Sequence, residues 1–216
     1  MAEWAPFAIK REGPAWKVGY SFVGESSPKR GEVKHSAEGW WPGIYSRLDG
    51  PDNASWHFTV GLDSVEQHYP LSANSWHAGD VDDDGAVSAN IDLVGVEHLG
   101  LAGQPLTAYQ VAQTIRITNW AAAQAPFTRF ARYSGVYLPS PTWILAEHRE
   151  VSNAPTACPS GRIPWHEILE RLNMPTTPTT ENYLGAAKIL AEIIVRYGNK
   201  QLPTEAQKSA LKFLGS

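Results

Sequence analysis

Two side chains that commonly bind transition metals, His148 and Cys158, stand ten residues apart. His148 follows an apolar run that predicts a buried strand (TWILAEHREV, residues 142–151), and open α/β sheets bind ligands at the carboxyl ends of their strands. Cys158 lies between prolines in a loop-type segment, and it is the only cysteine of the chain. An imidazole and a thiolate suit Zn²⁺, but two ligands do not define a metal site, so a surface histidine and an incidental cysteine are the alternative.

His35 is the candidate for a third ligand. It ends a short predicted strand (EVKHSA, residues 32–37) and is followed by small residues. If this strand and that of His148 are neighbours in the sheet, their two imidazoles lie close together. Three protein ligands leave a fourth position for water, which is the arrangement of catalytic rather than structural zinc sites. Zinc in such a site lowers the pKa of water towards ~7 and polarises a carbonyl group.

The elements that would position these residues alternate along the chain. Apolar and β-branched runs predict strands, and one helix is indicated by apolar residues at helical spacing after a possible N-cap, Thr107. This order predicts an α/β fold with a central mixed sheet flanked by helices. The strands are predicted at residues 32–37, 55–62, 64–69, 90–100 and 142–151, the helices at 107–124 and 165–172, and a loop at 39–43.

The rest of the chain divides into an irregular N-terminal arm, residues 1–30, and a tail. The domain between them covers residues 31–172. Residues 173–180, NMPTTPTT, have the composition of a linker, and residues 181–216 contain an amphipathic stripe from Ala186 to Tyr197. So short a tail cannot form its own core, so we expect it to pack on the domain, on a partner or on a second copy of the chain.

The overall composition excludes several classes of protein. Of the 216 residues, 43% are hydrophobic and 19% charged, which is too apolar for a disordered protein. The formal net charge of −4 does not favour nucleic acid or an anionic membrane as a partner. No apolar run reaches the ~18 residues of a membrane helix, and the N-terminus lacks the layout of a signal peptide. We therefore expect synthesis in the cytoplasm.

Five segments, in order, resemble the zinc-dependent N-acetylmuramoyl-L-alanine amidases of the type 2 family, which include phage lysins and share a fold with peptidoglycan recognition proteins. The segments are VKHSAEG, SWHFTVG, SWHAGD, NIDLVGVEHLG and AEHREVSNAPTACPSG, and the resemblance spans about residues 31–170. It implies that His35, His148 and Cys158 hold Zn²⁺. It also implies that the substrate is bacterial peptidoglycan, cut between N-acetylmuramic acid and L-Ala, with an endolysin-like action at the cell wall.

The resemblance also implies roles around the metal. Glu97, in the segment VGVE, falls where many members have a catalytic glutamate; a structural carboxylate in a salt bridge is the alternative. Thr156, two residues before the cysteine, would help to hold the oxyanion. Trp56 stands where the family often has tyrosine, and with His77 it is a candidate to contact substrate. A calcium loop that starts with residues 80–85 is disfavoured, because its twelfth position, which should be a glutamate, is occupied by Ile91.

Two other classes of function compete with the enzyme. One is a peptidoglycan-binding module without catalysis, but non-catalytic relatives are marked by loss of the cysteine ligand, and Cys158 is present. The other is a structural or regulatory zinc protein, which would need a fourth protein ligand. No convincing fourth ligand is evident in the sequence.

Overall fold

A seven-stranded mixed sheet organises the protein in the computed structural model, which describes residues 3–19, 29–79, 88–136 and 138–174. The order of its strands is β1-β5-β4-β7-β3-β9-β8; β5 runs antiparallel to β4, and the other neighbours are parallel. β2 and β6 form a separate antiparallel pair. The strands are β1 (Ile9–Lys10), β2 (Val18–Gly19), β3 (Gly31–Ser36), β4 (Phe58–Val60), β5 (Val65–Gln67), β6 (Asn74–Ser75), β7 (Leu93–His98), β8 (Arg129–Arg132) and β9 (Thr142–Glu147).

Five α-helices accompany the strands among the described residues, together with a 3-10 turn at Ala15–Lys17. The helices are α1 (Trp41–Asp49), α2 (Ala89–Asp92), α3 (Ala108–Ala122), α4 (His148–Val151) and α5 (Trp165–Asn173). No helix in this described part of the chain is both long and apolar enough to cross a membrane.

The main apolar core lies where the sheet meets α3 and α5. Phe58, Val96 and Leu145 from three strands pack there with Ile117 of α3 and Ile168 of α5, and all five are fully buried. Burying an aliphatic or aromatic side chain of this size contributes about 1.5–3 kcal/mol, so this layer is what holds the central strands in place. The α/β class with a central mixed sheet is confirmed.

A capping box starts α3 as the sequence predicts. The Thr107 hydroxyl accepts a hydrogen bond from the Gln110 backbone N–H (3.2 Å), and the Gln110 side chain accepts one from the Thr107 N–H (3.1 Å). This exchange satisfies backbone donors that no helical carbonyl can reach. The helix then packs on the sheet, where its Thr118 hydroxyl donates to the buried carboxylate of Glu32 on β3.

The centre of the sheet is ordered so that three strands end together. β3 lies between β7 and β9, parallel to both. Their registers pair His35 with Glu97 and Lys34 with Glu147, so His148 follows next to His35. Because paired residues of parallel strands point to the same face, this arrangement brings side chains from all three strands to one edge.

The structure differs from several expectations. The segment predicted as a loop at 39–43 begins helix α1, in which Pro42 occupies the first turn and Ile44 and Leu48 are buried. Two residues one turn apart are too short a pattern to indicate a helix by periodicity. The strand predicted at 90–100 begins instead with a helical turn, α2, the one predicted at 142–151 ends at Glu147, and β8 was not predicted.

The N-terminal segment is more ordered than an irregular arm. Strand β1 lies at the edge of the main sheet, parallel to β5, and β2 pairs with β6. Lys17 is fully buried, and its ammonium donates to the carbonyl oxygen of Arg47 (2.7 Å). Residues 3–19 therefore pack on the domain. The calcium-type loop at 80–85, the linker beyond Met174 and the C-terminal tail lie outside the described residues.

Candidate metal centre and active site

The three predicted metal ligands converge at the carboxyl end of the central strands. His35 lies on β3, His148 is the first residue of α4 directly after β9, and Cys158 lies in the loop that follows. One potential ligand atom from each of the three lies within 4.8 Å of the others. The Cys158 Sγ is 3.9 Å from the His35 Nδ1, and the two imidazole centroids are 4.6 Å apart. A single cation can therefore contact all three.

His148 is held by the capping of its short helix. The Glu147 side chain accepts a hydrogen bond from the Glu150 backbone N–H, and the Glu150 side chain accepts one from the Glu147 N–H (2.7 Å). Glu147 also accepts hydrogen bonds from Arg149 and from the Trp165 indole, each at 2.5 Å. Burial lowers the pKa of His148, partly opposed by the backbone of Ala78. The capping contacts fix where β9 ends and where α4, which begins at His148, starts.

Cys158 is positioned by its own loop and by β3. The Ser36 backbone N–H donates to the Sγ (3.2 Å), and the Arg149 N–H donates to the Cys158 carbonyl (2.9 Å). The Cys158 N–H donates to the Thr156 hydroxyl oxygen (3.2 Å). Thr156 therefore holds the loop through its oxygen, and its hydroxyl donates to no other group among the described residues.

The electrostatics of this cluster suit a cation. Burial, with the neighbouring His77 and His148, holds the pKa of His35 well below its ordinary value, so the imidazole is neutral. Burial and the carboxyl of Glu97 raise the pKa of Cys158 to about 12. The candidate donors are two neutral imidazole nitrogens and one sulfur, whose thiol ionises only beside a positive charge. A nitrogen and sulfur donor set of this kind fits Zn²⁺ better than Mg²⁺ or Ca²⁺.

Glu97 lies beside the three candidate ligands. Its Oε1 is 3.9 Å from the His35 Nδ1, and its Oε2 is buried with no hydrogen-bond partner among the described residues. Burial raises the pKa of Glu97 to about 8, partly opposed by Arg47 and Arg162. A cation at the three ligands would lower this pKa again, because it favours the carboxylate. A carboxyl group poised in this way can accept and return a proton.

A cleft of about 310 Å³ opens in front of this cluster. Trp56 lines it, as expected of a substrate contact, but this side chain is only 3% exposed and its indole N–H donates to Thr59 (2.7 Å). Its one donor is therefore committed within the protein, and Trp56 forms part of the wall. Trp76, which is 44% exposed, presents an aromatic surface at the same cleft.

His77 also lines the cleft, as predicted, yet both its ring nitrogens have partners in the protein. Its Nδ1 is 3.1 Å from the His35 Nε2, and its Nε2 is 3.2 Å from the Leu93 carbonyl oxygen. A hydrogen bond from His77 to substrate would break one of these contacts. The structure therefore connects His77 to a candidate ligand rather than to the open cleft.

The remaining histidines lie outside the cluster. His68 and His98 are buried and have protein partners at both ring nitrogens, as does His57. The imidazole of His166 is 96% exposed on α5. Among the described residues, none of these four histidines belongs to the cluster of candidate metal ligands.

One residue at the cleft was missed by sequence reasoning. Arg47 lines the cleft and is the only lysine or arginine among the described residues that does so. Its side chain is 64% exposed and lies 3.6 Å from Asp52. It extends from α1, for which the sequence analysis predicted a loop at residues 41–43 and no element for the rest, so nothing in the sequence analysis placed Arg47 at the cleft.

Known proteins resemble this chain in sequence and in fold. Residues 24–161 match the family model described as N-acetylmuramoyl-L-alanine amidase. Over 51 residues the chain is 47% identical to N-acetylmuramoyl-L-alanine amidase XlyA of Bacillus subtilis (strain 168). That match covers 23% of this chain and 16% of XlyA, so the chain spans a small part of the length of this relative.

Two solved structures have a similar fold. N-acetylmuramoyl-L-alanine amidase LysC from Clostridium intestinale URNW is 18% identical with a TM-score of 0.54, over 79% of this chain and 100% of LysC. A selenomethionine derivative of AmpD is 17% identical with a TM-score of 0.59, over 78% of this chain and 96% of AmpD. Since the family model covers more than half of the chain, this protein belongs to the N-acetylmuramoyl-L-alanine amidase family.

Proposed function

We propose that this protein hydrolyses the amide bond between the lactyl group of N-acetylmuramic acid and L-Ala in bacterial peptidoglycan, with Zn²⁺ held by His35, His148 and Cys158. The observation that carries the proposal is the convergence of these three ligand atoms within 4.8 Å beside the carboxyl group of Glu97. Membership of the amidase family supports the identity of the bond. The location of the reaction, at the bacterial cell wall, follows from this substrate.

The open side of the candidate centre supports a catalytic rather than a structural role for the metal. Three candidate protein ligands are present, and no fourth histidine, cysteine or acidic residue among the described residues joins this group. Zinc bound in this way supplies Lewis-acid polarisation of the scissile carbonyl and activation of the hydrolytic water. The cleft in front of the ligands provides the space for the substrate.

The protein's own groups supply proton transfer and stabilisation of charge. Glu97 accepts a proton from the attacking water and returns it to the departing amine of L-Ala, which must leave protonated. Thr156 donates its hydroxyl proton to the negative charge that develops on the carbonyl oxygen. Each role uses a polar atom that has no other hydrogen-bond partner in the described part of the chain, the Glu97 Oε2 and the Thr156 hydroxyl hydrogen.

The cleft offers the two surfaces that a glycopeptide needs. The exposed Trp76 suits the apolar face of a sugar ring, because aromatic rings pack on flat C–H surfaces. Arg47 suits a carboxylate of the stem peptide. Together they support a substrate that spans the glycan and the peptide, with the scissile amide between them.

The test is digestion of purified peptidoglycan followed by mass spectrometry. We expect intact glycan strands and released stem peptides whose free N-terminus is L-Ala. New reducing sugar ends without released peptide would overturn the proposal, because they report cleavage of a glycosidic bond. Tight binding to cell walls by the zinc-loaded chain, without release of peptide, would favour the non-catalytic binding module. Cys158→Ser is the matched inactive control.

A further inference from the structure

The imidazole of His77 lies between a backbone carbonyl and the candidate ligand His35. Its Nε2 is 3.2 Å from the Leu93 carbonyl oxygen, and its Nδ1 is 3.1 Å from the His35 Nε2. The two rings meet edge to face, with centroids 5.2 Å apart and planes at 85°. This orientation directs a nitrogen of one ring at a nitrogen of the other.

The carbonyl of Leu93 determines the direction of both hydrogen bonds. A carbonyl oxygen only accepts, so the proton of neutral His77 must be on its Nε2, and its Nδ1 is then an acceptor. The His35 Nε2 must therefore carry the proton that His77 accepts. This leaves the lone pair of His35 on its Nδ1, the atom that lies 3.9 Å from the Cys158 Sγ.

A glycine on β7, Gly95, leaves the space in which the His77 imidazole packs. A Cβ atom built on Gly95 would lie 2.7 Å from the His77 Cγ, so the imidazole can pack there only because residue 95 is glycine. The backbone around His77 is also fixed, since Asn90 Oδ1 accepts hydrogen bonds from the N–H groups of His77 (3.0 Å) and Ala78 (2.9 Å). His77 is thus held in place independently of His35.

We propose that His77 is a positioning residue that holds His35 in its Nε2-protonated tautomer, with the Nδ1 lone pair aimed at the metal position. This inference rests on the metal ligands of the proposed function. Without His77, both tautomers and other ring orientations of His35 become accessible, and metal binding must then select one of them. Groups that orient a ligating histidine in this way typically change metal affinity by roughly 10–100-fold.

The tautomer itself is measurable on the ¹⁵N-labelled, metal-free full chain by long-range proton–nitrogen NMR, with the His35 signals assigned by their loss in His35→Ala. We expect the Nε2-protonated form in the wild type and a mixture of tautomers in His77→Phe. An Nδ1-protonated His35 in the wild-type protein would overturn the inference. This measurement needs neither bound metal nor hydrolysis.

Zinc affinity, measured by competition with a chelator, provides the second readout. We expect His77→Phe to weaken binding by roughly 10–100-fold, and His77→Gln, whose amide can accept one hydrogen bond and donate another, to recover most of it. The control is His68→Gln, which changes another buried histidine with two ring partners, Thr59 and Arg11, away from the cleft.

The outcomes separate this inference from the proposed function. If folded His77→Phe binds zinc within about twofold of the wild type, His77 is not a positioning residue. If that variant does not fold, the wild-type tautomer and the comparison of His77→Gln with His68→Gln decide the question. If the wild type binds zinc as expected but releases no stem peptide, the proposed reaction fails while the role of His77 stands.

Discussion

His35 and Glu97 lie directly opposite each other on the parallel strands β3 and β7, and the His35 Nδ1 is 3.9 Å from the Glu97 Oε1. The pairing is a property of the sheet register, so the carboxyl group is placed beside the candidate ligand by backbone hydrogen bonds. A shift of one residue in either strand would point one of the two side chains to the other face of the sheet. The position of the proposed proton-transfer group relative to the candidate metal site is thus fixed by the register of the sheet.

Loss of any one metal ligand should remove zinc. We expect about one equivalent in the wild type and far less in His35→Ala, His148→Ala and Cys158→Ser, because two remaining ligands do not form a stable site. Elemental analysis after gel filtration measures this, with the exposed His166→Ala as the control that keeps its metal. Full zinc in two of the three ligand variants would show that the assignment is wrong.

Glu97→Gln should keep the fold and the zinc but lose roughly 10²–10⁴-fold in activity, the range for a general acid–base group. The amide has nearly the same shape and cannot accept the proton. Glu38→Gln is the matched control, because Glu38 also lines the cleft but its carboxylate accepts hydrogen bonds from Ser36 (2.6 Å) and Ala102 (2.8 Å). Release of stem peptides by Glu97→Gln at the wild-type rate would make Glu97 a structural residue.

Thr156→Val should reduce kcat by roughly 10²–10³-fold, the effect of removing one donor to an oxyanion. Valine preserves the shape but also leaves the Cys158 N–H without its acceptor, so zinc content must be measured in parallel. Thr156→Ser keeps the hydroxyl and should retain most of the activity. A valine variant that holds zinc and has an unchanged kcat would remove Thr156 from the mechanism.

Arg47→Ala should raise the KM for muropeptides by roughly 3- to 10-fold with little change in kcat, since an exposed charge contributes modestly to binding. The effect should shrink as salt is added and when the stem-peptide carboxylates are amidated. Arg171→Ala, which changes an exposed arginine on α5, is the control. Equal KM values for Arg47→Ala and wild type at low salt would place the peptide elsewhere in the cleft.

A chain ending near Asn173 should still bind zinc and hydrolyse soluble muropeptides, because every described residue that lines the cleft precedes Pro159. We expect the tail to affect stability, oligomeric state or affinity for intact walls, since its apolar stripe needs a covering surface. Light scattering and muropeptide turnover on the two chains measure these effects. A folded, zinc-loaded short chain that cannot cut a soluble muropeptide would give the tail a part in the active site.

Several features of this protein were readable from the sequence alone. The apolar run before His148 predicts a buried strand, because strands covered on both faces are nearly uniformly apolar. The strand of His35 is indicated more weakly, by the β-branched Val33 between two charged residues. The Thr107 cap and the helical spacing after it predict α3, and local patterns of this kind depend on neighbours within one or two turns. The ordered histidine, glutamate and cysteine segments indicated the amidase family and the ligands of the proposed metal site.

Other features were decided only by the tertiary structure. The sequence places His77 far from His35, and nothing local shows that Gly95 leaves the space in which the two imidazoles meet. Likewise, burial of Trp56 and exposure of Trp76 depend on which face of the sheet and which loops cover each ring. Contacts of this kind join residues distant in the chain, so they follow from strand order and packing, which no local pattern contains.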